Sequence, residues 1–180
     1  MISLTVAKKY ARALLEIGLK ERNYESLGKD LEKMVGLLRE AKELRAVLFS
    51  SIYPAPVRKA ILLKTNESLG LSKSVLDFIN LLIDRNRMDH FFEIGRSYES
   101  LCDAASNRIR ATLVSAMDLS PQITGEVKSQ LQSTTGKEVI LSMEKDPSLI
   151  GGVMAKIGNV IYDGTLKTQL LKFRENLYKE

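Results

Sequence analysis

A glycine-rich stretch, "DPSLIGGVMAKIGNVIYDG", runs from Asp146 to Gly164 and is the first candidate for a reactive or ligand-binding loop. Gly151, Gly152, Gly158 and Gly164 lie there among small and apolar residues. A glycine-rich run ahead of a helix suits phosphate binding, because bare backbone N–H groups can close on an anion. A Walker A loop needs G-x-x-x-x-G-K-[ST], with lysine directly after the last glycine. Gly158 is followed by Asn159, and Gly164 by Thr165 with Lys167 beyond it. The dinucleotide pattern G-x-G-x-x-G fails as well, since Gly151 and Gly152 are adjacent. The glycines are therefore expected to serve the backbone. Asp146-Pro147 signals a turn. Val153, Ala155 and Ile157 alternate with Met154 and Lys156 as in a strand. Gly158-Asn159 then reads as a two-residue hairpin turn, which places Val160 opposite Ile157 and Tyr162 opposite Ala155. Asp163-Gly164 breaks the returning strand, and Thr165 or Asp163 caps the helix after it. Gly151-Gly152 permit a close approach or a bulge at the strand start.

The remaining candidates for chemistry are thin. His90 is the only histidine, so no histidine cluster or Cys/His pair can be built; it is expected at the surface or in a helix cap. Asp84, Asp89, Glu93 and Asp103 read as solvated charges near helix ends. Cys102 stands alone in an apolar-periodic stretch and reads as an inert buried thiol in a reducing compartment. No metal-ligand spacing and no nucleophile–base constellation is present, so neither an enzyme nor a cofactor is expected.

The elements that hold these residues change character part-way along the chain. From Ser3 to about Ala105 apolar residues recur every three or four positions. Ser3 is a plausible N-cap for a first helix, with Val6, Tyr10, Ala13, Leu14 and Ile17 on one face. Leu27, Leu31, Met34, Val35 and Leu38 mark a second helix, and "AKELRAVLF" a short third. Pro54 and Pro56 punctuate, and Val57, Ala60 and Ile61 begin a fourth. Ser72 caps a fifth, carrying Val75, Phe78, Ile79, Leu82 and Ile83. "RNRMDH" is a turn, and Phe91, Ile94, Tyr98, Leu101 and Cys102 line a sixth. Near Asn107 the period becomes two. "RIRATLVSAMDL" is a strand, Ser120-Pro121 starts a helix that Gly136 closes, and "EVILSME" is a second strand. The hairpin follows, then a helix from Thr165 to about Tyr178. The fold class is α+β with two domains: a six-helix bundle over residues 1–105, then a small α/β domain over 106–180 built as strand, helix, strand, hairpin, helix.

Bulk properties bound the function. The chain has 180 residues, 44% hydrophobic and 27% charged, which suits packed cores rather than disorder. Its net charge of +5 is dispersed, with Lys8-Lys9 the densest pair. A nucleic-acid footprint would gather lysine and arginine on one face, so a basic RNA-binding module is the weaker, competing reading. No segment approaches the ~20 apolar residues of a membrane span. The N-terminus starts on a helical pattern without a signal-peptide core, so the chain is expected in the cytoplasm.

Residues 146–177, "DPSLIGGVMAKIGNVIYDGTLKTQLLKFRENL", resemble the C-terminal signature of the delta subunit of F-type ATP synthases, whose mitochondrial counterpart is the oligomycin-sensitivity-conferring protein. Its turn positions fall on Gly151, Gly152, Gly158, Asp163 and Gly164, with Thr165 where serine is usual and Lys167 where arginine is common. "VAKKYARALLEIG" resembles the family's opening. "LLIDRNRMDHFFEI" resembles its central segment, with Arg85-Asn86-Arg87-Met88 replacing the frequent order. The resemblance implies a non-catalytic stator subunit that ties the alpha/beta head to the peripheral stalk, so that rotor torque drives ATP synthesis and ion transport. It implies a location on the cytoplasmic face of a bacterial inner membrane, reached only through the complex, and no nucleic-acid partner. In the family an alpha-subunit N-terminal segment lies between helices 1 and 5. The matching positions are Ala7, Tyr10, Ala11 and Leu14, with Phe78, Leu81 and Leu82. Bundle core is the plainer reading of Ala13, Leu14, Phe78 and Ile79, whereas Tyr10 and Leu81 favour the interface. Contact with beta subunits is possible in that arrangement. The peripheral-stalk b subunits would meet the hairpin around Gly151-Gly152 and Leu166, Leu170, Leu171, Phe173, Arg174 and Leu177 on the last helix, although packing onto the sheet is the default for that helix.

Overall fold

A computed structural model describes residues 4–158 and 160–177, and at residues 172 and 175–177 the backbone only. Ser3, Asn159, the Leu177 side chain and Tyr178 lie outside the described residues. A helical N-terminal region is followed by a small unit with a four-stranded sheet. The chain divides into two compact units, 1–102 and 103–180, each with its own core.

The helical region contains α1 (Leu4–Lys20), α2 (Tyr24–Glu40), α3 (Lys42–Phe49), α4 (Ala55–Leu69), α5 (Lys73–Asp84) and α6 (Phe91–Ala105). A single 3-10 turn, Met88–His90, precedes α6. In α2 the predicted stripe holds: Leu27, Leu31, Met34 and Leu38 are buried, with Val35 half-buried against the core. In α5 all five predicted positions are buried. Each such side chain withdrawn from water contributes about 1.5–3 kcal/mol before entropy is counted.

Two helices correct the sequence pattern. The core face of α1 is Ala7, Ala11, Leu14, Leu15 and Gly18, while Ala13 and Ile17 are exposed. The apolar face is therefore wider than the core needs, and its far flank is left uncovered. In α4 the buried residues are Arg58 and Leu62, whereas Val57 is 46% exposed. A pattern built on apolar periodicity cannot place an arginine inside. The Arg58 Nη1 donates to the Leu48 carbonyl and to Asn86 Oδ1, both at 3.4 Å. Leu48 sits at the C-terminal end of α3 and Asn86 two residues past the end of α5, so the cation lies near two helix C-termini, where the dipoles favour it.

In the second unit the sheet order is β2-β1-β3-β4. Strand β1 (Arg108–Ser115) runs parallel to β2 (Glu138–Lys145), joined by α7 (Pro121–Thr135). Helix α7 starts as its sequence indicates: Ser120 Oγ accepts from the Ile123 N–H at 3.3 Å, and Pro121 fills the first turn. Strand β3 (Val153–Ile157) is antiparallel to β1 and forms a hairpin with β4 (Val160–Asp163). The pairs Ile157–Val160 and Ala155–Tyr162 match the two-residue turn. Ala111, Leu113, Leu131, Val139 and Ala155 form the small core. Helix α8 (Leu166–Leu177) closes the chain.

Candidate functional site

The seam between α1 and α5 is built around Tyr10 and Phe78. Their rings meet edge to face, with centroids 6.3 Å apart and planes at 70°. Both helices are amphipathic, so each turns its apolar stripe inward and leaves flanking residues beside the seam. Ala7, Ala11, Leu14 and Leu82 are at most 1% exposed and belong to the core, with Phe78 nearly so. Of the residues singled out here, only half-buried Tyr10 and exposed Leu81 present apolar surface. Ile17, on the Tyr10 side of α1, adds exposed area that the family positions do not include.

The second apolar surface lies on the C-terminal unit. Val160, Ile161 and Tyr162 of β4 are exposed, as are Leu166, Leu170, Leu171 and Phe173 of α8. Arg174 is exposed beside them. The expected packing of this helix face onto the sheet is thus not found: Leu170 and Phe173 are each 64% exposed. Among the described residues strand β4 is the edge of the sheet, hydrogen-bonded to β3.

The glycines join β3 to the start of α8. Gly152 has φ +85°, and a Cβ there would stand 2.5 Å from the Gly164 carbonyl. A Cβ on Gly151 would stand 2.8 Å from Leu166 Cδ1. Two backbone bonds close the junction: Gly164 N–H to the Val153 carbonyl and Leu166 N–H to the Gly151 carbonyl, both 3.0 Å. The Asp163 carboxylate accepts from the Thr165 N–H at 2.9 Å and from the Thr168 hydroxyl at 2.8 Å. Thr165 Oγ1 accepts from the Thr168 N–H at 3.4 Å, so the two residues share the cap. Gly158 has φ +56° in the hairpin turn, with open space around it.

Several polar residues sit differently from their sequence reading. His90 is buried, not at the surface, because the 3-10 turn folds Met88 and His90 inward together. Asp103 is buried and accepts from Arg110 Nε at 2.7 Å. Asp84 pairs with Lys59 at 2.6 Å. Ser72 holds the N-cap position of α5 without a side-chain cap bond, and its own N–H donates to the Asp30 carboxylate at 2.8 Å. Burial alone would raise the Asp30 carboxyl, but the Ser72 N–H and the Lys33 ammonium outweigh it and hold it below the ordinary carboxylate value. Burial, with Cys102 alongside, pushes the Tyr98 phenol up, and its hydroxyl donates to the Tyr24 carbonyl at 2.9 Å.

Packing of α1 near α6 creates a feature with no local sequence signal. An open trough of about 390 Å³ is lined by Lys8 and Arg12 of α1 and by Arg96, Ser97, Ser100 and Leu101 of α6. Its cations lie far apart in sequence, so only the packing of the first helix near the sixth gathers them. Among the described residues no group of His, Cys, Asp and Glu could hold a metal ion.

The profile of a family described as ATP synthase delta (OSCP) subunit matches residues 6–177. The chain belongs to the ATP synthase delta (OSCP) subunit family. Its delta-subunit relatives include one from Syntrophobacter fumaroxidans, 40% identical over 98% of this chain and 97% of that protein. Another, from Geotalea uraniireducens, is 37% identical over 99% of both. A chain in the cryo-EM structure of the Toxoplasma gondii mitochondrial ATP synthase hexamer shares the fold, with a TM-score of 0.72, 18% identity and coverage of 96% and 97%. A delta subunit is a non-catalytic component of the peripheral stalk that links it to the catalytic head. Among the described residues no helix is long and apolar enough to cross a membrane.

Proposed function

We propose that the two apolar surfaces divide the linking role between them. The six-helix N-terminal unit receives the N-terminal segment of an alpha subunit along the α1/α5 seam, with Tyr10 and Leu81 as anchors. A helix lying in an apolar groove is held by side chains at helical spacing, and large aromatic residues dominate such contacts. The C-terminal unit meets the b subunits through α8 and the hairpin. The complex places the chain on the cytoplasmic face of a bacterial inner membrane.

The observation that carries this reading is the exposure of Leu170, Phe173, Ile161 and Val160, each more than half exposed. Leu170 and Phe173 stand one turn apart on α8, and exposed apolar side chains at that spacing suit a contact with another protein. A tagged full-length chain tests the division. Wild type should co-purify with alpha and b. Leu170→Asp with Phe173→Asp should lose b and keep alpha, and Tyr10→Asp should do the reverse. Retention of b by the doubly charged variant refutes the assignment of the second surface.

A further inference from the structure

The cationic trough lies on the other flank of α1 from the seam. Lys8 and Arg12 are one helical turn apart, as are Arg96 and Ser100 on α6. At 3.6 residues per turn, the Lys8–Arg12 row and the Tyr10–Ile17 row stand roughly 160° apart around α1, on opposite sides of its buried stripe. The two surfaces are therefore separate.

The side chains lining the trough offer hydrogen-bond donors above all. Two guanidiniums, an ammonium and two hydroxyls line it, with Leu101 as the apolar member and no carboxylate. Lys8, Arg12 and Arg96 make no ion pair among the described residues. Such a trough selects negatively charged acceptors. Its form distinguishes among them. The lining residues lie past the first turns of α1 and α6, so no helix N-terminus or glycine loop supplies backbone N–H groups for a compact phosphate. No aromatic ring lines it for a nucleic-acid base to stack on. Two charges lie about 6 Å apart along α1, and across from them α6 offers one charge with two hydroxyl donors beside it. Donors spread over two helices in this way suit several carboxylates along an acidic peptide rather than one compact anion.

We propose that the Lys8/Arg12/Arg96 trough is a docking site for an acidic segment of a partner protein, bound through carboxylates at Lys8, Arg12 and Arg96 and through hydroxyl donation from Ser97 and Ser100. This site is additional to the α1/α5 seam and does not depend on it.

Backbone amide NMR spectra of the full chain provide the test, with blocked hexaglutamate, inorganic phosphate and hexauridylate as separate titrants at low and high salt. Hexaglutamate should shift the amides of Lys8, Arg12, Arg96, Ser97 and Ser100, and high salt should weaken it. The variant Lys8→Gln/Arg12→Gln/Arg96→Gln should bind it at least ~tenfold more weakly. Ser97→Ala/Ser100→Ala, which keeps every charge, should also weaken it and carries the test should the triple variant misfold. Tyr10→Asp should leave it unchanged. Tighter binding of phosphate or hexauridylate at these amides overturns the peptide assignment. So does hexaglutamate binding that shifts other regions equally, or that both trough variants leave intact.

Discussion

The Asp30 carboxylate on α2 accepts a 2.8 Å hydrogen bond from the backbone N–H of Ser72, a residue 42 positions along the chain. It thereby ties the second helix to the entry of the fifth, the helix that carries Phe78 and Leu81. Its other oxygen lies 3.1 Å from the Lys33 ammonium. A buried carboxylate in this position gives the first free N–H of α5 a charged acceptor.

Asp30→Ala should therefore destabilise the protein by about 1–3 kcal/mol at neutral pH, since it strands the Ser72 N–H and removes a charged acceptor. Urea unfolding followed by circular dichroism measures it. A loss below the error of the midpoint shift would show that water replaces the carboxylate without cost.

The same carboxylate sets a pH dependence. Its pKa is lowered in the folded chain, so the folded state holds the proton less readily than the unfolded state. The stabilisation is thus fully present above the unfolded carboxyl value of ~3.9 and is lost as pH falls through the folded value. The gap between wild type and Asp30→Ala should be widest near neutrality and narrow below about pH 4. A gap independent of pH would exclude the charged form as its source.

Gly152→Ala should strain the junction of β3 with α8. Positive φ and a Cβ 2.5 Å from a backbone oxygen leave no room without moving the chain. A loss of about 2 kcal/mol or more is expected in the C-terminal unit, read as faster proteolysis there. Gly158→Ala meets open space and should carry only the smaller penalty of its positive φ, about 1 kcal/mol. Equal protease resistance of the two variants would contradict this ordering.

Tyr10→Asp should weaken binding of an alpha N-terminal peptide by more than ~1.4 kcal/mol, a tenfold effect. Tyr10→Phe should retain most of the affinity, because the ring rather than the hydroxyl meets Phe78. Calorimetry on the full-length variants decides it. Unchanged affinity of the aspartate variant, with the helical spectrum intact, would remove Tyr10 from the seam.

Arg58→Ala should cost about 2 kcal/mol or more in urea unfolding. The substitution empties a buried volume and strands the Leu48 carbonyl and the Asn86 side chain together. Full stability in this variant would mean that the two helix ends gain nothing from the cation.

Local signals in the chain are enough to specify the elements and the family. Period in α2 and α5, the Ser120-Pro121 start of α7 and the glycine turns are local features, fixed by backbone geometry within a few residues. The signature from Gly151 to Gly164 is legible for the same reason. Tertiary structure alone decided which apolar flank of α1 is core, because Ala13 and Leu14 look alike until a neighbouring helix covers one of them. It alone placed Arg58 and His90 inside, where partners distant in sequence receive them. It alone left α8 and β4 uncovered, and gathered Lys8, Arg12 and Arg96 from two helices some 80 residues apart. Exposure and charge proximity belong to the packed chain, and no period along the sequence records them.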